Sequence, residues 1–182
     1  MSGRSLKAGE ILDAAEQMVR RGGYNGFSYR EIAKRVGIKA ASVHYHFPGK
    51  GDLGAAVARR YADRFLDALG DAGDPKTTPA VLLQRYVDAY RKGLIDEGLM
   101  CLCGMLGAEV TALPEPVARE TKRFFERNID WLMQLFQRDA NAEEPRKSAL
   151  RTIAMLEGAM ILARTLGDHS VFNDIANGVS LA

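Results

Sequence analysis

Between Ala40 and Phe47 the chain reads Ala-Ala-Ser-Val-His-Tyr-His-Phe, and on a helix this order separates two kinds of surface. Ile38, Val43 and Phe47 are spaced to bury, leaving Ala40, Ala41, Ser42 and His44 to face outward. An outward face of small and polar side chains can enter the major groove of duplex DNA, where a methyl, a hydroxyl or an imidazole can meet base edges. His44 and His46 invite a second chemistry, metal ligation, but at i and i+2 they point about 200° apart and no third ligand stands close in sequence. No metal and no cofactor are expected. Cys101 and Cys103, two apart, suit neither a disulfide framework nor the paired spacing of a structural zinc site. A helical enzyme would need a nucleophile-base pair, metal ligands or a phosphate-cradling loop; no P-loop or His-Glu-x-x-His occurs, so the chain is read as not an enzyme.

The elements that must hold the 40–47 segment are well punctuated. Ile11, Leu12, Ala15, Met18 and Val19 recur at three- and four-residue spacing, which predicts a helix over Leu6 to Arg21 ended by Gly22-Gly23. Ser28 followed by Glu31 is a capping-box signature, Ile32, Ala33 and Val36 supply an apolar face, and Gly37 stands where a left-handed cap would fall. The recognition segment follows after Gly37-Ile38-Lys39 and must stop at Pro48-Gly49. The order is helix, tight turn, helix.

Charge supports the same end of the molecule. The net charge is +2, yet residues 1–60 carry 11 Lys/Arg against 5 Asp/Glu, whereas residues 61–182 carry 14 against 18. A positive module gains affinity for phosphate by releasing condensed counterions, and the acidic remainder would be repelled. With 47% hydrophobic and 26% charged residues the composition is that of a globular protein. Neither a signal-peptide core near Met1 to Lys7 nor a membrane-length apolar run is visible, so a cytoplasmic protein without a membrane partner is expected.

Phe27-Ser28-Tyr29-Arg30-Glu31-Ile32-Ala33, Val36-Gly37-Ile38 and Val43-His44-Tyr45-His46-Phe47, followed by Lys50 and Leu53, resemble the DNA-binding signature of the TetR/AcrR family of transcriptional regulators over residues 7–57. The resemblance implies an all-α fold: a three-helix DNA-binding domain over 1–50 and a helical ligand-sensing and dimerisation domain over 51–182, with 51–69 as connecting helix. It implies double-stranded operator DNA, a small-molecule effector and a second copy of the chain as partners, and a repressor released from a pseudo-palindromic operator by its ligand. Ala40, Ala41 and Ser42 would face base edges and His44 would reach a base or a phosphate, while Ser28, Lys39, Tyr45, His46 and Lys50 would clamp the sugar-phosphate backbone, which sets register without reading sequence. Three positions depart from the common pattern: Lys39 stands where a small capping residue is usual, Gly49 where Ser or Asn is usual, and His44 where Tyr is common.

Beyond Gly70 to Pro75, helix-length patterns are predicted over Pro79 to Asp96, Met100 to Thr111, Glu115 to Gln137, Glu144 to Leu166 and Ser170 to Leu181, with breaks at Gly98, Leu113-Pro114, 139–143 and Gly167. By the resemblance, the last two supply a four-helix dimer interface through Leu150, Ile153, Ala154, Leu156, Gly158 and Ile161; the same positions equally suit packing within one chain. Candidate ligand-binding residues are Tyr86, Tyr90, Met100, Cys101, Met105, Phe124, Trp131 and Met155, with Phe125 and Met160 beside them, a set rich in adaptable Met and flat aromatic surface that also suits ordinary core. Arg85, Glu109, Glu157 and Arg164 are the polar groups on the same helices. Met100-Cys101-Leu102-Cys103 through Leu106-Gly107-Ala108-Glu109 is similar to a segment found in several branches of the family, some of which sense reactive electrophiles, so Cys101 is either a reactive thiol or a buried structural one. A remaining alternative, a helical protein-interaction adaptor, predicts no salt-dependent affinity for DNA.

Overall fold

The computed structural model describes residues 3–139 and 144–181, with side chains from residue 6 onward. Among the described residues every regular element is helical, as the all-α reading requires. Helix α1 (Gly3–Gly22) buries Ile11, Ala14, Ala15 and Val19, the stripe that its three- and four-residue spacing lays on one side. It ends at Gly23, whose φ of 73° and ψ of −169° lie where a side chain is strongly disfavoured, and a single tight turn over Tyr24–Gly26 leads on.

Helix α2 (Tyr29–Val36) starts and stops as its capping residues dictate. Ser28 Oγ accepts the Glu31 N–H at 3.2 Å and donates to the Glu31 carboxylate at 2.7 Å. Gly37 takes the left-handed conformation at φ 72°, and Ile38 N–H returns to the Ala33 carbonyl at 2.9 Å. Helix α3 (Ala40–His46) follows, and α4 (Lys50–Leu69) begins at Gly49, whose N–H donates to the Asp52 carboxylate at 3.0 Å. That reciprocal bond is why glycine suffices where Ser or Asn is usual.

Further along, α5 (Pro79–Arg91) is capped by the Thr78 hydroxyl, and a wider π turn over Lys92–Asp96 replaces the α-helix predicted to Asp96. Gly98, at φ 64°, turns the chain after it, with Leu99 N–H bonded to the Gly93 carbonyl at 2.8 Å. Helix α6 (Leu102–Ala108) is shorter than the predicted Met100 to Thr111, and Val110–Ala112 forms a separate tight turn. Helices α7 (Glu115–Phe136) and α8 (Pro145–Leu166) follow the prediction to within a residue; of the break between them, residues 140–143 lie outside the described set. Helix α9 (Ser170–Ala176) stops before the predicted Leu181 because Asn177-Gly178 is a poor helix continuation.

The helices group into two compact units: Met1–Asp63 with Leu102–Phe124, and Arg64–Cys101 with Phe125–Ala182. In the first, α1 packs on α2 and α6, and α2 on α3. Ion pairs tie its helices together: Arg60 on α4 meets Asp13 and Glu16 of α1 at 2.8 and 3.2 Å, and Arg59 meets Glu120 of α7 at 2.8 Å. In the second, α8 lies along α9 and touches α5, over a core containing Tyr86, Tyr90, Leu132, Phe136 and Phe172. No helix among the described residues is long and apolar enough to cross a membrane.

Candidate functional site

The α2–α3 pair is held by packing beneath and one decisive hydrogen bond at its end. Val43 is fully buried, while Ile38 and Phe47 are only half-buried. The Tyr29 hydroxyl donates to the Phe47 carbonyl at 2.7 Å, fastening the last turn of α3 to α2. Burial, aided by the nearby Asp52 charge, pushes the Tyr29 phenol up to about 12, so it stays a donor across the physiological range. Its ring also lies 4.4 Å from that of His44, restricting the imidazole on one side while His44 remains exposed.

With α3 fixed, Lys39, Ala40, Ala41, His44 and Tyr45 are exposed, and Ser42 and His46 are half-buried. Tyr45 keeps 64% of its surface open to solvent, which sets it apart from a packing aromatic. A recess of about 380 Å³ runs beside this face, lined by Lys39, Ala41, Ser42, Tyr45, His46 and Lys7. Lys7 was not singled out from sequence; its only signal there is a cation on the outer face of α1. Lys39 occupies the N-cap of α3, where its ammonium, a donor only, makes no capping bond, and the residue is exposed. Ser28, by contrast, spends its hydroxyl on capping α2.

Lys50 opens α4, and its ammonium sits over the rings of Tyr24 and Phe27, 4.7 and 4.6 Å from their centroids. A cation held over two aromatic faces has a restricted position rather than a wandering one. Tyr24 is itself anchored: its N–H donates to the Glu109 carboxylate at 2.8 Å, and a Cβ at neighbouring Gly23 would meet that carboxylate at 2.1 Å. Glu109, grouped from sequence with polar groups for a ligand, is thus engaged by the backbone of the first unit. The 85-residue separation hides this bond from any local pattern.

The candidate ligand residues divide between the units. Met105, half-buried on α6, and Phe124, whose ring lies 5.8 Å from Tyr61, belong to the first. Tyr86, Tyr90, Met100, Cys101 and Trp131 are buried in the second, and Met155 is half-buried there, as is Phe125, with Met160 buried. Tyr86 and Trp131 stack at 5.6 Å, and the Phe65 ring meets Tyr86 and Tyr90 edge-on at 5.7 and 5.6 Å. The Tyr86 hydroxyl donates to Asn128 at 2.9 Å, and that of Tyr90 to the Glu157 carboxylate at 3.2 Å, where the Cys101 thiol also bonds. Burial raises the Tyr86 and Tyr90 phenols and the Glu157 carboxyl above their ordinary values. Arg85 and Arg164 instead hold the Leu69 and Gly98 carbonyls at 2.7 and 3.1 Å.

Along α8, Leu150, Ala154, Ile161, Leu162 and Leu166 are exposed, Leu166 at 65%. Ile153 and Leu156 point into the core, and Gly158 is half-exposed.

Comparison with known proteins gives this geometry its context. Residues 11–57 match the model for bacterial regulatory proteins of the tetR family, and residues 79–178 match the C-terminal domain of LmrA/YxaF-like transcriptional regulators. A TetR transcriptional regulator from Legionella pneumophila is 32% identical with a TM-score of 0.88, covering 98% of this chain and 96% of that one. The transcriptional activator FasR of Mycolicibacterium smegmatis is 29% identical over 87 residues, 48% of this chain, and the repressor AcnR of Corynebacterium diphtheriae 30% over 69 residues, 38% of this chain. Those matches span 40% and 36% of the two relatives' own lengths. Through both halves of its sequence and nearly the whole of its fold, the chain belongs to the TetR family of helix-turn-helix, DNA-binding transcriptional regulators.

Proposed function

We propose that the chain acts as a homodimeric repressor that leaves a pseudo-palindromic operator when a small molecule binds. Residues 1–50 serve as the reading head and residues 51–182 as the sensing and dimerisation part, with 51–69 as the connection. The observation that carries the reading is the exposed α3 face, with Ala40, Ala41 and Ser42 for base edges, His44 for a base or phosphate, and Lys39, Tyr45 and His46 for the backbone, joined there by Ser28 at the start of α2 and Lys50 at the start of α4. With no arginine among the base-facing residues, sequence preference rests on methyl contact, the Ser42 hydroxyl and groove shape.

The α8 stripe supplies the dimer contact. Leu150, Ile161, Leu162 and Leu166 are exposed apolar side chains on one broad face of α8 that a second copy would cover, and Ala154 and Gly158 let the helices approach closely. Two reading heads about 34–36 Å apart then address successive turns of the duplex. Release follows if the effector favours the arrangement that cannot span two half-sites, with α4 carrying the change, and typical coupling of this kind is about 1–3 kcal/mol. The chain acts as a regulator and not as an enzyme, and it acts in the cytoplasm. Cys101, at 2% exposure and hydrogen-bonded to a carboxylate that opposes thiolate formation, fits the structural role better than the electrophile sensor.

The test is a selection of bound fragments from the source genome by the purified protein at about physiological salt. Enrichment of a pseudo-palindrome bound far more tightly than scrambled duplex is expected. Failure to enrich any site with the dimer intact would favour a protein-interaction role.

A further inference from the structure

The recess beside the α3 face is built from two helices rather than one. Lys39, Ser42, Tyr45 and His46 come from α3 and its N-cap, and Lys7 reaches it from the start of α1. All of these lie within the first unit. About 380 Å³ of space opens here, and the polar lining consists of two ammonium groups, two hydroxyls and an imidazole, with no carboxylate among the described residues that line it. Side chains that can all donate, with no anion between them, suit an acceptor that carries negative charge.

Lys7 is already engaged in the free protein. Its ammonium donates to the Glu10 carboxylate at 2.8 Å, one turn along α1, and the two side chains keep 46% and 47% of their surface open. An exposed pair of this kind is held weakly, because water screens the attraction and two flexible side chains must be fixed to make it. Glu10 itself does not line the recess. The pair therefore holds the cation at the rim, where a phosphate arriving with the duplex can take it over. A phosphodiester oxygen supplies the negative charge that Glu10 supplied, and beside Lys39 it meets a second cation.

We infer that this recess seats a backbone phosphate of the duplex, with Lys7 as a contact from α1 and Glu10 as the built-in competitor that the phosphate displaces. This rests on the reading of α3 as the DNA-facing helix and adds α1 to the grip. Such a contact positions without reading, so every sequence should feel its loss alike.

The experiment measures binding of the full-length protein to two labelled duplexes, the selected pseudo-palindrome and a scrambled sequence of the same length, by fluorescence anisotropy over a range of salt. Lys7→Ala is expected to weaken both by about three- to tenfold and to reduce the slope of log affinity against log salt by about 0.9 for each bound subunit. Lys7→Arg restores both. Glu10→Gln strengthens binding by about two- to threefold, and only while Lys7 is present, since in Lys7→Ala the carboxylate has no cation to withhold. Lys34→Ala removes the same charge from an exposed position on α2 outside the recess, and as the control for the general field it changes the slope much less. Thermal unfolding of the Lys7 and Glu10 variants should match the unsubstituted protein, both side chains being exposed. The inference is overturned if Lys7→Ala leaves the slope unchanged, if Lys34→Ala equals it, if only the pseudo-palindrome is weakened, or if the gain from Glu10→Gln persists in Lys7→Ala. Unsubstituted protein that binds neither duplex at low salt would instead sink the reading of α3 and take the phosphate seat with it.

Discussion

The reading head and the sensing region treat polar side chains in opposite ways. Around α3, Lys39, His44 and Tyr45 are exposed, on a helix positioned by buried neighbours such as Val43. In the second unit the Tyr86 and Tyr90 hydroxyls and the Glu157 carboxyl are withdrawn from water and bonded to one another or to Asn128 and Cys101. The first arrangement suits a partner as large and as charged as a duplex, which brings its own hydration and is gripped by many weak contacts. The second suits a small partner that must be recognised by a few groups in low dielectric, where each counts for more.

That contrast can be broken at several points. The largest effect is expected where the apolar α8 face meets solvent: Ile161→Glu with Leu166→Glu should leave each subunit folded, yet yield monomers by sedimentation and reduce operator affinity to the non-specific level, about 10³-fold or more. Next is Gly23→Ala, which forces a side chain into a glycine-only conformation and displaces Glu109 from the Tyr24 amide. A loss of about 2–3 kcal/mol in denaturant unfolding is expected, against about 1 kcal/mol for Gly37→Ala, where the space beside the backbone is open. Equal losses would mean that the Glu109 anchor contributes nothing.

In the head, Tyr45→Phe with Lys50→Ala should weaken binding to every sequence and lower the salt slope by about one phosphate's worth, whereas Ser42→Ala should change preference among sequences and leave the slope intact. Matching effects in both assays would erase the division between positioning and reading. The smallest effect lies in the sensing region and has a sign set by linkage. Burial raises the folded-state pKa of Glu157 above its ordinary 4.5, so its favourable contribution is present below that value and is lost as pH rises through the folded-state pKa. Glu157→Gln should therefore raise the melting temperature at about pH 8, and the gain should vanish below about pH 4.5. A gain that persists in acid would place its origin in packing rather than charge.

How much of this could be read from sequence follows the same contrast. Ser28, Glu31 and Gly37 act on their own helix ends, so the start and stop of α2 were visible as a short string, and the order of Val43, Tyr45 and Phe47 carried the recognition segment with it. The Tyr29 bond to Phe47 and the Lys50 position over Tyr24 and Phe27 depend on how the turns close, which no periodicity states. Farther off still is Glu157, a plain glutamate at a helical spacing, whose bonds to Tyr90 and Cys101 form only when α5 and the segment before α6 fold against it. The grouping of Met105 and Phe124 with Tyr86 likewise came from residue type, while packing assigns them to a different unit. The ends of α5, α6 and α9 were overextended because apolar spacing continues past residues where the backbone has already changed its turn.

One tryptophan serves the whole chain, and its position makes it an optical gauge. Trp131 stacks on Tyr86 and donates its indole N–H at 2.7 Å to the carbonyl of Gly70, the residue immediately after α4. Fluorescence from this single buried fluorophore therefore carries no background from a second indole, and its wavelength answers to the bond with the end of the connecting helix. Movement of that helix would reach the spectrometer as a shift in emission colour, without a label and without DNA in the cuvette.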